Sequence, residues 1–171
     1  MVKLENDEYA PYYQSYIEVL LNNEKDIITN LEDSLLEFEQ LLNNLEPPKQ
    51  LFQYAEGKWT IKEIIQHIID TERVFNYRAL RFARKDTTEL PGFDENLYVA
   101  NCHANQRDYK KLLEEFISLR KSTIALYQSF DDKVLLFKGK ASGNFMSVRA
   151  LGFISSGHLL HHLQVIKSRY L

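Results

Sequence analysis

A single cysteine, Cys102, stands among 171 residues. An internal disulfide is therefore excluded, as are Cys-based zinc fingers and iron–sulfur clusters, and the chain suits a reducing cytoplasm. No stretch reaches the roughly 18 consecutive apolar residues of a membrane span, so no membrane partner is expected. The opening residues, Met1 to Glu8, hold acids and no apolar run, which is not the pattern of a signal peptide. Positive charge is not in surplus either: the net charge is −3 and the pI about 6.0. That balance, without any Lys/Arg block, argues against nucleic acid as a partner. The expected setting is cytoplasmic, with a small molecule as the substrate.

Glycine and proline are scarce, at 6 and 4 residues, and their positions are informative. Pro47-Pro48, Pro91-Gly92, and Gly139 with Gly143 fall between long periodic segments, and no proline interrupts one. A hydrophobic content of 44% against 26% charge is that of a globular chain, and the length suits one domain over 1–171.

The segments read as helices. Ile27, Leu31, Leu35, Phe38, Leu42 and Leu45 recur every three or four residues, predicting a first helix over about 22–45. Tyr12, Tyr13, Tyr16, Ile17 and Leu20 suggest a shorter amphipathic piece before it. The second helix starts after Thr60, with Glu63 completing a capping box and Trp59 and Ile64 placed as a hydrophobic staple. Its apolar pattern runs through Ile68, Val74, Phe75 and Leu80 to about Arg84. A third helix is expected over 105–129, with Leu112, Phe116, Leu119, Thr123 and Leu126 inward. A fourth begins at a Ser147 cap and runs to about Ser168. No segment shows sustained period-two alternation, so no sheet is expected.

Four amphipathic stripes bury one another most simply as an all-α four-helix bundle. The connection over about 85–104 is long enough to cross the bundle and let the second and third helices run parallel. The expected order is up-down-down-up, with an extra N-terminal helical segment and that long crossover between helices two and three.

Of five histidines, His158 and His162 are i and i+4 on the fourth helix, on the stripe of Leu151 and Val165. His67 is in phase with Ile64, Thr71 and Val74 on the inward side of the second. Three imidazoles therefore converge on the interior. Buried imidazoles need partners, and a divalent metal would supply all three while leaving at least one position open, the make-up of a catalytic site. Satisfied core histidines would show the same spacing, which leaves both readings open. Rival signatures are missing: there is no His-Glu-x-x-His and no Glu-x-x-His repeat.

Other residues carry weaker signals. Asp70 adjoins His67 on its helix and could orient a ligand, accept a proton or contact a metal directly, although a salt bridge is the favoured reading. Arg78, three turns beyond His67, could meet a carboxylate at a pocket mouth or pair at the surface. His161 faces about 60° away from the triad and reads as a packing or supporting residue. Cys102-His103 is an inert pair unless something lowers the thiol pKa. The glycine-bracketed stretch Gly139–Gly143 lacks the context of a phosphate-binding loop and reads as a turn between helices.

Gly57-Lys58-Trp59-Thr60-Ile61-Lys62-Glu63-Ile64-Ile65-Gln66-His67, with Asp70, Glu72 and Arg73, resembles the second-helix motif of DinB/YfiT-like proteins. Gly157-His158-Leu159-Leu160-His161-His162-Leu163 resembles their last-helix motif, and Leu90–Asp94 and Lys138–Gly143 are similar to family loops. The similarity extends over essentially the whole chain. It implies a four-helix bundle, often a homodimer, in which His67, His158 and His162 hold one divalent metal, zinc or nickel before iron or manganese. It further implies either transfer of a low-molecular-weight thiol to an electrophile or hydrolysis. A non-catalytic bundle, in which metal or histidines serve stability or ligand sensing, is the competing reading. Neither residues nor resemblance identifies substrate, thiol or native metal.

Overall fold

The structure is a computed structural model that describes residues 4, 5, 7–20 and 24–171. After a 3₁₀ turn at Pro11–Tyr13 come α1 (Gln14–Glu18), α2 (Ile27–Leu42), α3 (Pro47–Gln50) and α4 (Ile61–Ala83). The crossover holds α5 (Glu95–Asn101) and a second 3₁₀ turn at Ala104–Gln106. Then follow α6 (Tyr109–Gln128), α7 (Asp132–Leu135), β1 (Lys138–Ala141), β2 (Asn144–Ser147) and α8 (Val148–Arg169).

The four long helices start where a side chain can replace the missing intrahelical acceptors. The Asp26 carboxylate accepts from Thr29 N at 2.7 Å, and Asp108 from Lys111 N at 3.0 Å. Ser147 Oγ accepts from Ala150 N at 3.0 Å. At α4, Thr60 Oγ1 accepts from Glu63 N while the Glu63 carboxylate accepts from Thr60 N, completing the reciprocal box. The capped α2 starts at Ile27 and α6 at Tyr109, each shorter than its apolar pattern suggests. The expected start at 22–23, and any continuity with the N-terminal piece, lie outside the described residues.

Each long helix packs against two of the others: α2 and α4 both against α6 and α8. Cross-links give the directions. Glu72 with Arg120 and Asn76 with Thr123 climb α4 and α6 together. Tyr109 with the Leu42 carbonyl, and Arg120 with that of Leu31, run α2 against α6. Trp59 with Tyr170 and His67 with His158 run α4 against α8.

A two-stranded antiparallel hairpin corrects the expectation of no sheet. β1 and β2 pair from Lys138 opposite Ser147 to Ala141 opposite Asn144. Its strands are four residues long, too short to show alternation, and lack β-branched residues. The turn is the legible part: Ser142 and Gly143 both take positive φ, 51° and 79°, as two-residue hairpin loops demand. The stretch read as a simple turn is therefore this hairpin, and Leu90 from the crossover adds to it, donating to the Lys140 carbonyl at 2.9 Å. Gly139 lets it lie against α4, since a Cβ there would meet the Phe82 ring at 1.9 Å. A second correction concerns Leu80, which is 39% exposed while Ala79 and Phe82 are buried. The inward stripe of α4 drifts one position late in the helix.

The core falls into two apolar clusters. One gathers Leu31, Phe75, Phe82, Leu151 and Ile154 with the N-terminal segment; the other gathers Phe38, Ile65, Leu112, Phe116 and Leu163. Between them, in sequence along every long helix, sit buried polar residues: Ser34, Glu72, Arg120, Thr123 and Ser155. Arg120 is fully buried and donates to both Glu72 carboxylate oxygens at 2.8–3.1 Å, to Ser34 Oγ at 2.6 Å and to the Ser155 carbonyl at 3.3 Å. Thr123 donates to Glu72 at 2.6 Å. All four long helices are thus tied at one level, three residues before His158.

Candidate metal centre

His67 projects from α4, and His158 and His162 from α8, the antiparallel neighbour. The Nε2 atom of His158 lies 3.0 Å from Nε2 of His67 and 3.1 Å from that of His162. The three side chains offer ligand nitrogens all within 4.8 Å of one another. His67 and His158 are buried and His162 is half-buried.

Aromatic neighbours set the ring planes. The Trp59 ring packs on His67 at 4.9 Å, and Tyr16 and Phe75 pack edge-on against His158 at 5.4 and 6.0 Å. Trp59 is held in turn by its carbonyl, which accepts from Tyr170 Oη at 2.6 Å. Tyr16 reaches the site because Gly157 carries no side chain: a Cβ there would come within 2.0 Å of the Tyr16 carbonyl oxygen.

Burial keeps all three imidazoles neutral. His67 is lowered to about 4 by desolvation. His158 and His162 are held well below the usual histidine range, first by burial and then by the positive charge neighbouring histidines would carry. A neutral imidazole has one N–H and one lone pair. Nε2 of His158 faces two other Nε2 atoms, and a single lone pair or proton cannot serve both well. A cation accepting three lone pairs resolves the frustration. Two nitrogens at about 2.0–2.1 Å from one ion, at angles of about 90–110°, stand about 2.9–3.4 Å apart, which matches the separations of 3.0 and 3.1 Å. The donor set fits a divalent ion.

The triad opens on a cavity of about 420 Å³. α4 lines it with His67, Thr71, Phe75 and Arg78, which recur at intervals of four, four and three residues along one face. Thr71 Oγ1 is buried with no hydrogen-bond partner, a polar atom left for something the cavity admits. Tyr12, Tyr13, Tyr16 and Phe93 add aromatic walls, and Glu95 and Ser142 polar ones.

The remaining candidates separate clearly. Asp70 does not line this cavity: it accepts from Gln66 Nε2 at 2.9 Å, lies 3.7 Å from Arg73, and faces a groove beside α5. Burial raises its pKa. His161 is exposed and stacks on Tyr16 and His162 at 5.3 and 5.2 Å, outside the triad. Arg78 is neither at a mouth nor on the surface but 2% exposed inside the cavity wall. Cys102 is half-buried, and burial raises its pKa, the reverse of what a nucleophile needs. Sequence reasoning missed Trp59 as a wall of the site, along with the tyrosines, Phe93, Glu95 and Ser142. The i, i+4, i+8 spacing of His67, Thr71 and Phe75 was the available signal for α4; the others come from loops whose approach no local pattern encodes.

Fold and site together define a helical bundle whose interior presents three neutral imidazoles to a ligand-sized cavity. The sequence profile of the DinB superfamily matches residues 30–166, and the chain belongs to that superfamily. Among solved structures it is similar to YfiT from Bacillus subtilis, described as a probable metal-dependent hydrolase with an unusual four-helix bundle topology. The two are 17% identical, with 94% of this chain and 90% of that one covered at a TM-score of 0.73, so the likeness speaks for the fold. No curated protein sequence matches the chain. Among the described residues no helix is long and apolar enough to cross a membrane.

Proposed function

We propose that this protein is a metal-dependent enzyme in which His67, His158 and His162 hold one divalent ion, zinc or nickel, beside a cavity that takes a small-molecule substrate. The observation that carries this reading is the meeting of three Nε2 atoms, two pairs of them 3.0 and 3.1 Å apart, in the wall of that cavity. When bound, such an ion supplies Lewis acidity, polarising a carbonyl and making a nucleophile available at neutral pH. The chain's own residues do the rest. The imidazoles are neutral at pH 7 and need lose no proton before ligating. Trp59, packed on His67, and Tyr16 and Phe75, packed edge-on against His158, limit how those two rings can turn. Thr71 offers a hydroxyl to whatever lies next to the triad.

Hydrolysis is placed first, in keeping with the description of YfiT. A low-molecular-weight thiol in place of water would need no further protein nucleophile, and the superfamily resemblance keeps that reaction as the second arm of the test. The untagged protein, loaded with zinc or nickel, is assayed against ester and amide substrates, and against thiols paired with electrophiles. Turnover should require the ion and fall at least about a hundredfold in His162→Ala, since even partners of metal ligands contribute 10–100-fold. An unchanged circular dichroism spectrum would show that the fold survives. A metal that raises the melting temperature with no turnover in either arm would contradict the enzyme and leave a binding role.

A further inference from the structure

The bundle buries two arginines, and only one has its charge cancelled. Arg120 meets the Glu72 carboxylate through a bidentate pair at 2.8–3.1 Å. Arg78 is as thoroughly enclosed, at 2% exposure, yet its partners are neutral. Its Nη2 donates to Ser142 Oγ at 3.0 Å and to the Pro91 carbonyl at 3.3 Å, its guanidinium lies 5.9 Å from the Phe93 ring, and Tyr13 lines the same cavity. Among the described residues no carboxylate comes within 4.0 Å of it, although nine other lysines and arginines outside the core pair with one. Burying an unpaired cation is costly, and natural cores offset it with an anion. Here no carboxylate pairs with it directly, the nearest acidic wall of its cavity being Glu95 beyond 4.0 Å, and the guanidinium borders that cavity.

We propose that Arg78 anchors a carboxylate of the ligand, so that the cavity takes an elongated molecule with a carboxylate at one end and an apolar or aromatic middle, its other end at the histidines. Two segments distant in sequence, around Pro91 with Phe93 and at Ser142, hold the guanidinium in place. Its fork is therefore pre-organised, which lowers the entropic cost of bidentate recognition. Eleven residues separate His67 from Arg78, about 16 Å along the helix axis at 1.5 Å per residue. Side chains on a helix lean toward its N-terminus, so Arg78 reaches back toward the triad. Thr71 and Phe75 lie between the two, and Tyr12, Tyr13 and Phe93 add apolar surface. A monoanion fits better than a phosphate dianion: one guanidinium balances one charge, and the repulsion from Glu95, which lines the same cavity, doubles for a dianion. The placement of the reacting group at the triad rests on the enzymatic reading above; the carboxylate anchor does not.

Isothermal titration calorimetry with phenylacetate, 3-phenylpropionate, 4-phenylbutyrate and 5-phenylvalerate, each beside its primary amide and the matching phosphonate, tests the anchor. Each series is run on EDTA-stripped and on zinc-loaded protein. At least one carboxylate should bind the stripped protein about tenfold or more tightly than its amide, the range of a charge-assisted hydrogen bond. That preference should vanish in Arg78→Gln and weaken in Arg78→Lys, which keeps the charge but loses the fork. Carboxylates and amides binding alike, or a preference that survives in a folded Arg78→Gln, would overturn the anchor. So would a preference seen only with zinc, because the carboxylate would then be seeking the ion. Phosphonates binding most tightly would overturn the choice of carboxylate. If Arg78→Gln does not fold, the carboxylate–amide comparison on stripped wild-type protein decides. A protein that prefers carboxylates but takes up no zinc would sustain the anchor while removing the metal reading.

Discussion

Arg120→Met is expected to destabilise the protein by about 3–5 kcal/mol, the usual cost of breaking a buried ion pair from one side. Stabilities of whole domains run to about 5–15 kcal/mol, so the loss is large. The reason is what remains. Glu72, 2% exposed, would keep its hydrogen bond from Thr123 but no cation, and Ser34 and the Ser155 carbonyl would each lose a donor. Removing both charges is a different matter. Glu72→Met combined with Arg120→Met should recover most of the loss, because an apolar layer of similar volume needs no counter-charge. Urea denaturation followed by circular dichroism measures both. A loss below about 1 kcal/mol in the single variant would contradict the account. The layer also sets how α8 stands against α6, and His158 lies one turn from Ser155. Weaker metal binding should therefore accompany the lost stability.

The second large effect is a loss of stability in acid, expected of metal-free protein. In the unfolded chain a histidine titrates near 6.5. Folded, His67 is held to about 4, and His158 and His162 are held well below the usual histidine range, first of all by burial. Between pH 6.5 and 4 the unfolded state therefore binds protons that the folded state refuses. Stability from these groups is fully present above pH 6.5. It falls as pH drops through that window, by up to about 1.4 kcal/mol per pH unit for each histidine. Chemical denaturation of EDTA-treated protein at pH 7, 6 and 5 should show the decline, with a shallower slope in His67→Leu. Stability that stays flat from pH 7 to 5 would mean the three rings are not buried neutral together. Adding zinc should raise stability throughout, and least at low pH, because protons compete for the same lone pairs.

The parts of this molecule that were legible in its sequence are those governed by local physics. The capping box at Thr60 and Glu63, and the Ser147 cap, are spelled in four adjacent residues each, and both helices start there. The phase of His67 on one helix, and of His158 and His162 on another, follows from 3.6 residues per turn, and the fold brings those rings together. What stayed hidden depends on partners far along the chain. Arg120 sits in a stripe with Leu112, Phe116 and Thr123, and nothing nearby announces that Glu72, 48 residues earlier, will neutralise it. The seven-residue α5, capped by Asp94, is too short to show a period within the crossover. The hairpin is set by two positive-φ residues and by a glycine that yields to Phe82, not by its own alternation. The tyrosine wall depends on Gly157, whose missing side chain admits the Tyr16 backbone.

Elemental analysis of untagged protein, reconstituted with zinc or nickel and freed of excess, tests the central claim most directly. One ion per chain is expected in the wild type, in Asp70→Asn and in His161→Ala, whose side chains stand outside the triad. His67→Ala, folded by circular dichroism, should retain little of it. Wild-type protein that holds no ion, or a His67→Ala variant that keeps the full complement, would contradict the assignment of these three imidazoles as one metal site.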